Sequence, residues 1–515
     1  MKRPLAPPAV FAALGIAAAG FCLRLAGATS RSLNTDEVYF ALAARQGAVW
    51  RSVLADVHPP LYQLFLSGLM RLGFSETAWR LASALCWVGA GLFAWRLGRR
   101  LAGETVGLLA LALLMVAPQG YSLSLMVRTY APATLLASWM MCEFAALIDQ
   151  PDRRRTLRLA VAAALASYCF YYNLLLLAGL AAAGWRLRRQ GRAAGKRALQ
   201  AAGLAGLLFA PWLPLLLAQY RNSLGAGWLE LTASPRELLR RTAQLLAQAA
   251  GVDGVETAVR AVAPWAAGAC GTALIFVLLA WGYGRLRRAE PAEARGRLFA
   301  VALPVAATVA LALVAHTVFH AFFALHYFTI LAAPVAVLAV APFALARRGF
   351  VAGALFAVLL AADVFSLPAA ARVGDEPLRP AVQWIDARLG PDDLGLGVAW
   401  FAADAYRFYG AGRAVVGVPI DLRSAGDRPA PRVQPGIATA ADLERLRPLL
   451  ARPARVALLL THENWRETDR GVALIKQALT AAGFTAAEKA AWPPFATQPP
   501  VRAEIWRRPP GTEAR

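Results

Sequence analysis

The chain has 515 residues, 58% of them hydrophobic, and a formal net charge of +23; its mean hydropathy is +0.47. That apolar fraction argues against an ordinary soluble enzyme. The positive charge does not indicate a nucleic-acid binder either, because the arginines fall in short runs between long apolar segments, where they report membrane topology.

Hydropathy makes most of residues 1–370 a membrane part and residues 371–515 a soluble unit. Lys2-Arg3 precedes an apolar run too long for a cleaved leader, which reads as a retained signal anchor with a cytoplasmic N-terminus. A first span at 8–28 exits, and residues 29–78 form an external loop whose apolar stretch 61–72 is too short to cross and lies at the interface. Spans follow at 79–98, 104–122, 131–148, 157–171, 172–187 and 198–218; a second external loop occupies 219–261. Spans at 262–284, 298–317, 326–346 and 350–368 complete a set of eleven. With this count every dense arginine run, from Arg99-Arg100 through Arg153-Arg154-Arg155 to Arg347-Arg348, faces the cytoplasm. Counting 61–72 as a span would put the later runs on the wrong side. The fold class is therefore a multi-span α-helical membrane protein with a C-terminal extracytoplasmic α/β domain, in the cytoplasmic membrane of a bacterium. The Ala-, Arg- and Gly-rich, Lys-poor usage suits a GC-rich bacterial genome.

Past residue 371 the periodicity changes. Helices are expected at 380–389, 402–409, 439–450 and 471–482, and strands at 394–400, 414–419, 456–460 and 502–506, the alternation of a small α/β layer. Gly395-Leu396-Gly397 lacks the third glycine and the acidic partner of a dinucleotide fingerprint. Residues 422–438 read as a loop. Cys22, Cys86, Cys142, Cys169 and Cys270 all sit in apolar segments without a CxxC pair, and are expected to be packing residues.

Chemistry concentrates on the external side of this topology. Asn34-Thr35-Asp36-Glu37-Val38-Tyr39-Phe40 puts two adjacent acids just outside the first span, and His58-Pro59-Pro60-Leu61-Tyr62 follows in the same loop. As a structural feature the acids would cap a helix over 38–44. As a functional one, a partly desolvated carboxylate at the membrane boundary is expected to have its pKa raised toward that of a useful base. Single-displacement glycosyl transfer needs one such base for the acceptor proton. Successive helical residues point about 100° apart, so only one acid faces the acceptor; Asp36 is assigned the base, with Glu37 orienting or holding substrate. Arg128, in Met126-Val127-Arg128-Thr129-Tyr130, is an isolated cation on the less basic side, suited to clamp a lipid phosphate or to reach headgroups. His58, placed to cap a helix or donate to a phosphate, and Tyr62, Tyr130, Asn173, His326 and Tyr327 are further candidates for substrate contact; Tyr168, Tyr171 and Tyr172 suit an interfacial aromatic belt. His316 and His320, four apart, lack an evident third ligand, so no metal site is assigned and a divalent ion is left open.

The order of these motifs resembles the protein O-mannosyltransferase and aminoarabinose-transferase type of membrane glycosyltransferase. The residues that carry the resemblance are Thr35-Asp36-Glu37-Val38-Tyr39-Phe40-Ala41, His58-Pro59-Pro60-Leu61-Tyr62 and Arg128-Thr129-Tyr130-Ala131, with looser echoes at Pro211-Trp212-Leu213-Pro214 and His326-Tyr327. The resemblance covers about residues 8–370. It implies the GT-C fold, a polyprenyl-phosphate sugar donor, a lipid, glycan or protein acceptor, and inverting transfer at the external face with Asp36 as base. Met126 stands where relatives often carry Glu, and His326 where they often carry Arg; both positions bear on how a donor phosphate or metal is held. A transporter of lipid-linked sugars is the competing class. It ordinarily places ionisable groups at mid-membrane and shows internal repeats, whereas here the acids other than Glu143 and Asp363 gather outside the spans and no repeat is evident. A sensor or scaffold would leave the Asp-Glu pair idle.

Overall fold

The structure is a computed structural model that describes residues 7–29, 31–45, 53, 57–223, 292–319, 325–344, 349–372, 375–398, 400–412, 415–418, 440–462, 466–493 and 500–509. The span read at 262–284, most of the loop 219–261, the loop 422–438, Cys270 and His320 lie outside the described residues.

The chain opens with α1 (Pro7–Thr29), followed by α2 (Thr35–Arg45), which carries the acid pair, and α3 (Leu61–Arg71). The bundle continues through α4 (Glu76–Ala102), α5 (Glu104–Val116), α6 (Pro118–Ser124), α7 (Tyr130–Asp149), α8 (Arg153–Cys169), α9 (Tyr172–Arg189), α10 (Ala193–Phe209) and α11 (Leu213–Ser223). It closes with α12 (Ala292–Phe319), a 3₁₀ turn at Leu325–Leu331, α13 (Ala332–Ala344) and α14 (Gly349–Ala370). Six helices among the described residues are long and apolar enough to cross a membrane, or seven if one bent pair is a single span.

That bent pair is the stretch expected as one span at 104–122. It breaks at Ala117, and α5 and α6 diverge by 63°. Proline has no N–H, so Pro118 cannot donate to the Leu114 carbonyl. The indole of Trp87 donates there instead, at 2.9 Å. The next carbonyl, Met115, accepts from Arg24 Nη1 at 3.0 Å. Arg24 is wholly buried; it also donates to Ser124 Oγ and the Gly20 carbonyl, each at 2.7 Å. An arginine inside the first span is thus the brace of a helix break, in a place where water cannot supply the missing bonds. Gly103, at φ +107°, makes the turn between α4 and α5, and a Cβ on Gly98 would lie 2.8 Å from the Gly107 Cα. Small residues let these two helices touch backbone to backbone.

The C-terminal unit begins at α15 (Leu378–Asp386) and continues β1 (Leu394–Val398), α16 (Trp400–Tyr409), β2 (Val415–Val418), α17 (Ala440–Leu450), β3 (Arg455–Leu460), α18 (Arg466–Ala481), β4 (Thr485–Trp492) and β5 (Val501–Arg507). The five strands form one sheet in the order β2-β1-β3-β5-β4. β1 runs parallel to β2 and β3, while β5 is antiparallel to β3 and β4. Alternate residues of β3 enter opposite cores. Val456, Leu458 and Leu460 pack with α17 and α18, and Ala457 and Leu459 with α15 and α16. The strand expected at 394–400 stops at Val398, and Trp400 already belongs to α16. Gly397 has a packing reason: a Cβ there would sit 2.2 Å from the Ala403 nitrogen at the start of α16. Strand β4 was not foreseen.

The sheet unit is clasped to the end of the bundle that carries α2. Helix α16 packs on α2. The Leu33 N–H donates to Tyr409 Oη at 2.6 Å, and that hydroxyl donates to Glu76 Oε2 at 3.3 Å. Arg80 reaches the Ser32 carbonyl at 2.9 Å, and Arg379 pairs with Glu76. All four described cysteines are unpaired, as the sequence suggested.

Candidate active site

Helix α2 starts with a reciprocal cap. Asn34 Oδ1 accepts from the Glu37 N–H at 2.9 Å, and Glu37 Oε2 accepts from the Asn34 N–H at 2.8 Å. This is a capping box with asparagine as its first member. The second oxygen, Glu37 Oε1, accepts from the Val127 N–H. Glu37 is therefore only 1% exposed, with both oxygens bound to backbone, and it ties α2 to the segment that presents Arg128. Turned about 100° away on the same helix, the Asp36 side chain is 72% exposed. One of the two acids faces outward, as helical geometry requires. The inward one is a clamp, not a group open to substrate.

Asp36 Oδ2 is 2.9 Å from Nη1 of Arg128. The guanidinium lies 4.9 Å from the Phe40 ring centroid and 5.6 Å from that of Tyr130, and Nη2 donates to Tyr130 Oη at 3.4 Å. Stacked and forked in this way, it cannot turn aside freely. The neighbouring Arg128 holds the Asp36 carboxyl below the usual range; burial opposes this, and His58, His462 and His326 add to the lowering. The expectation of a raised pKa is corrected: the attached cation outweighs desolvation. The accessible carboxylate is close enough to Arg128, His58, His462 and His326 to feel the charge of four separate segments.

The remaining candidates divide by position. The His58 ring meets Phe40 edge-on at 5.3 Å, and its carbonyl accepts from Gln219 Nε2 at 3.3 Å. Gln219 also binds the Val53 carbonyl and the Tyr171 hydroxyl, to which Trp212 Nε1 donates at 2.7 Å. The Pro211-Trp212 motif thus steadies the His58 loop. His326 lies edge-on to Tyr130 at 5.0 Å, and Tyr327 continues this aromatic wall against Phe170 at 5.1 Å and Tyr172 at 5.0 Å. Tyr130, His326 and Tyr327 are thus brought to the Arg128 side of the site. Two others are not. Tyr62 is 3% exposed, packs on Phe40 at 5.8 Å, and has its pKa raised by burial. Asn173 is wholly buried, its Nδ2 donating to the Ala166 carbonyl at 2.9 Å across the α8–α9 turn. Both hold the walls from behind. Among the described residues no three His, Cys, Asp or Glu side chains converge in a way that could hold a metal ion; the cation facing Asp36 is Arg128.

Two groups beside Asp36 were not singled out from sequence. Glu376, 6% exposed, accepts from the Thr35 N–H at 3.1 Å, so it binds the first residue of α2. Burial pushes its pKa up to about 8, opposed by the Thr35 hydrogen bonds and reinforced by the charge of Asp36. His462 Nε2 lies 3.7 Å from Glu376 Oε1, and burial lowers the imidazole's pKa.

Comparison with known proteins bears on the fold. Residues 57–214, less than half of the chain, match the family model described as dolichyl-phosphate-mannose-protein mannosyltransferase. No curated protein matches by sequence. The apo structure of ArnT from Cupriavidus metallidurans superposes with a TM-score of 0.59 at 13% identity, covering 96% of this chain and 97% of that one. ArnT bound to undecaprenyl phosphate gives 0.56 at 14% identity, with the same coverage. The oligosaccharyltransferase AglB from Archaeoglobus fulgidus, in complex with an inhibitory peptide and a dolichol-phosphate, gives 0.51 at 10% identity, covering 95% of this chain and 74% of that one. The fold is shared across nearly the whole length.

Proposed function

We propose that this membrane protein of the GT-C fold, the fold of the protein mannosyltransferase and aminoarabinose-transferase type, is a glycosyltransferase. It moves a sugar from a polyprenyl-phosphate donor to a glycolipid, glycan or protein acceptor, with inversion, and Asp36 is its general base. The observation that carries the reading is the pairing of an accessible Asp36 with a buried Arg128. Undecaprenyl phosphate and dolichol-phosphate in the solved relatives support a lipid phosphate as the donor's carrier.

The chemistry follows from these groups. Attack by an acceptor hydroxyl or amine on the anomeric carbon forms one bond while the bond to the phosphate oxygen breaks. The proton goes to Asp36 and the electron pair leaves with the phosphate. Negative charge grows on that phosphate, and Arg128 is the group placed to meet it, with His326 and Tyr130 as neighbouring donors. As negative charge grows on the departing phosphate and shares the fixed guanidinium of Arg128, the hold of that cation on Asp36 weakens and the carboxylate becomes a stronger base at the moment it is needed. Glu37 holds both partners in register from behind.

Eleven spans, a cytoplasmic N-terminus, and an external site with residues 371–515 as an extracytoplasmic domain complete the reading; the inward arginine runs support it. The test is transfer by the purified protein from radiolabelled undecaprenyl-phosphate sugars to membrane lipid and protein fractions. Lipid movement across liposomes without transfer would instead identify a transporter.

A further inference from the structure

The loop that leaves the carboxyl end of β3 carries His462 at φ +57°, the one non-glycine residue with positive φ among the described residues. Imidazole in that backbone region is uncommon, and such strain persists where the surroundings enforce it. Three contacts enforce it here. Thr461 Oγ1 lies 2.9 Å from His462 Nδ1, the ring meets Phe401 edge-on at 4.9 Å, and Nε2 approaches Glu376. The carboxyl ends of parallel strands are where α/β sheets ordinarily present functional groups. In this chain that edge is linked to α2 through Glu376, which His462 approaches and which binds Thr35.

Glu376 reaches the same place from the other direction. It lies in the segment joining the last described bundle helix to α15, yet its oxygens bind the N–H and, at 3.5 Å, the hydroxyl of Thr35, one residue before Asp36. A carboxyl group with this burial is ordinarily spent on an ion pair with Arg or Lys. Here the charges that act on it are those of Asp36 and Glu37 on α2, and His462 on the β3 loop lies 3.7 Å away. Arg31 and Arg80 act instead on the adjacent Asp375.

We propose that Glu376 and His462, supplied from beyond the membrane part, are positioning residues for Asp36: together they fix the start of its helix and set the charge beside it. The assignment rests on the reading of Asp36 as the base. Burial favours the uncharged form of each, Glu376 as the acid and His462 as the neutral imidazole. Ionisation of Glu376 at higher pH adds a negative charge to those of Asp36 and Glu37, where it opposes approach of an anionic donor phosphate. A fall in activity at alkaline pH that depends on Glu376 is the expected consequence.

Two measurements on the purified full chain test this. In an infrared pH titration without substrate, one protonated-carboxyl band disappears as pH rises through about 8, and that band is missing from Glu376→Gln. In transfer assays with undecaprenyl-phosphate sugars, Glu376→Gln removes the fall in rate above that pH, while Glu376→Ala, which abolishes the bonds to Thr35, lowers kcat about tenfold or more. His462→Asn keeps a residue that tolerates positive φ and removes the ring; its kcat falls about tenfold with donor KM nearly unchanged. A titrating band that survives in Glu376→Gln, an unaltered alkaline limb in that variant, or wild-type kcat in His462→Asn overturns the proposal. Full turnover in Asp36→Asn overturns the underlying reading of the base, and leaves the infrared result to judge Glu376 by itself.

Discussion

Replacing Glu37 by glutamine probes the scaffold on which the site is built. Both carboxylate oxygens accept backbone N–H groups, from Asn34 at 2.8 Å and from Val127, and the side chain is 1% exposed. Glutamine has a single acceptor oxygen, so one of these N–H donors loses its partner and meets an NH₂ group instead. Hydrogen bonds to a charged group contribute about 1.5–3 kcal/mol, and an orphaned buried donor costs about 1–3 kcal/mol. A local loss of about 2 kcal/mol follows, or roughly a 30-fold rise in the open population. Hydrogen exchange read by mass spectrometry on the detergent-purified chain should show that acceleration in peptides containing residues 31–38 and 125–130, with little change in α7. The same variant should lose turnover, because Arg128 follows Val127 directly. Unchanged exchange in both peptides would refute the clamp and return Glu37 to a place open to substrate.

Other outcomes follow from the same geometry. Arg128→Lys keeps the charge but loses the fork and the stacking on Phe40 and Tyr130; kcat in the transfer assay should fall about 10²–10³-fold, the usual cost of removing a donor aimed at developing charge. The Asp36 carboxyl is held low chiefly by Arg128, so it stays ionised until pH falls below the ordinary aspartate value of about 3.9. The acid limb of kcat/KM for the wild-type protein should therefore lie at or below that value, and Arg128→Gln should move it to higher pH. Trp87→Phe leaves the Leu114 carbonyl without its 2.9 Å donor at a break where Pro118 offers none. It should cost about 1–3 kcal/mol, seen as a lower thermal midpoint with the donor KM unchanged.

The parts legible in the sequence were those encoded by short-range pattern. Adjacent acids on one helix must diverge, and Asp36 and Glu37 do. The short buried run of β3 and the apolar runs of the bundle read directly from the sequence. Contacts between distant segments were not legible. Arg128 was recognised as an unusual cation, but nothing in its neighbourhood stated that it would pair with Asp36, and the sign of that acid's pKa shift depended on the pairing. Glu376 was passed over because its partner Thr35 lies 341 residues away. His462 differs from any other histidine only through a backbone angle. Strand β4, Thr-Ala-Ala-Glu-Lys-Ala-Ala-Trp, is an edge strand with largely exposed residues, and its composition disfavours strands; pairing with β5 overrides that preference. The break at Ala117 has a local signal in Pro118-Gln119-Gly120, but residues 104–122 together are long enough to read as one span.

The central claim is that Asp36 takes the acceptor's proton. Asparagine has the same shape, so Asp36→Asn should leave binding of undecaprenyl phosphate to the purified protein within a few-fold of wild type while transfer falls by about 10²–10⁴, the usual contribution of a general base. An Asp36→Asn protein that still transfers sugar at the wild-type rate would contradict the account.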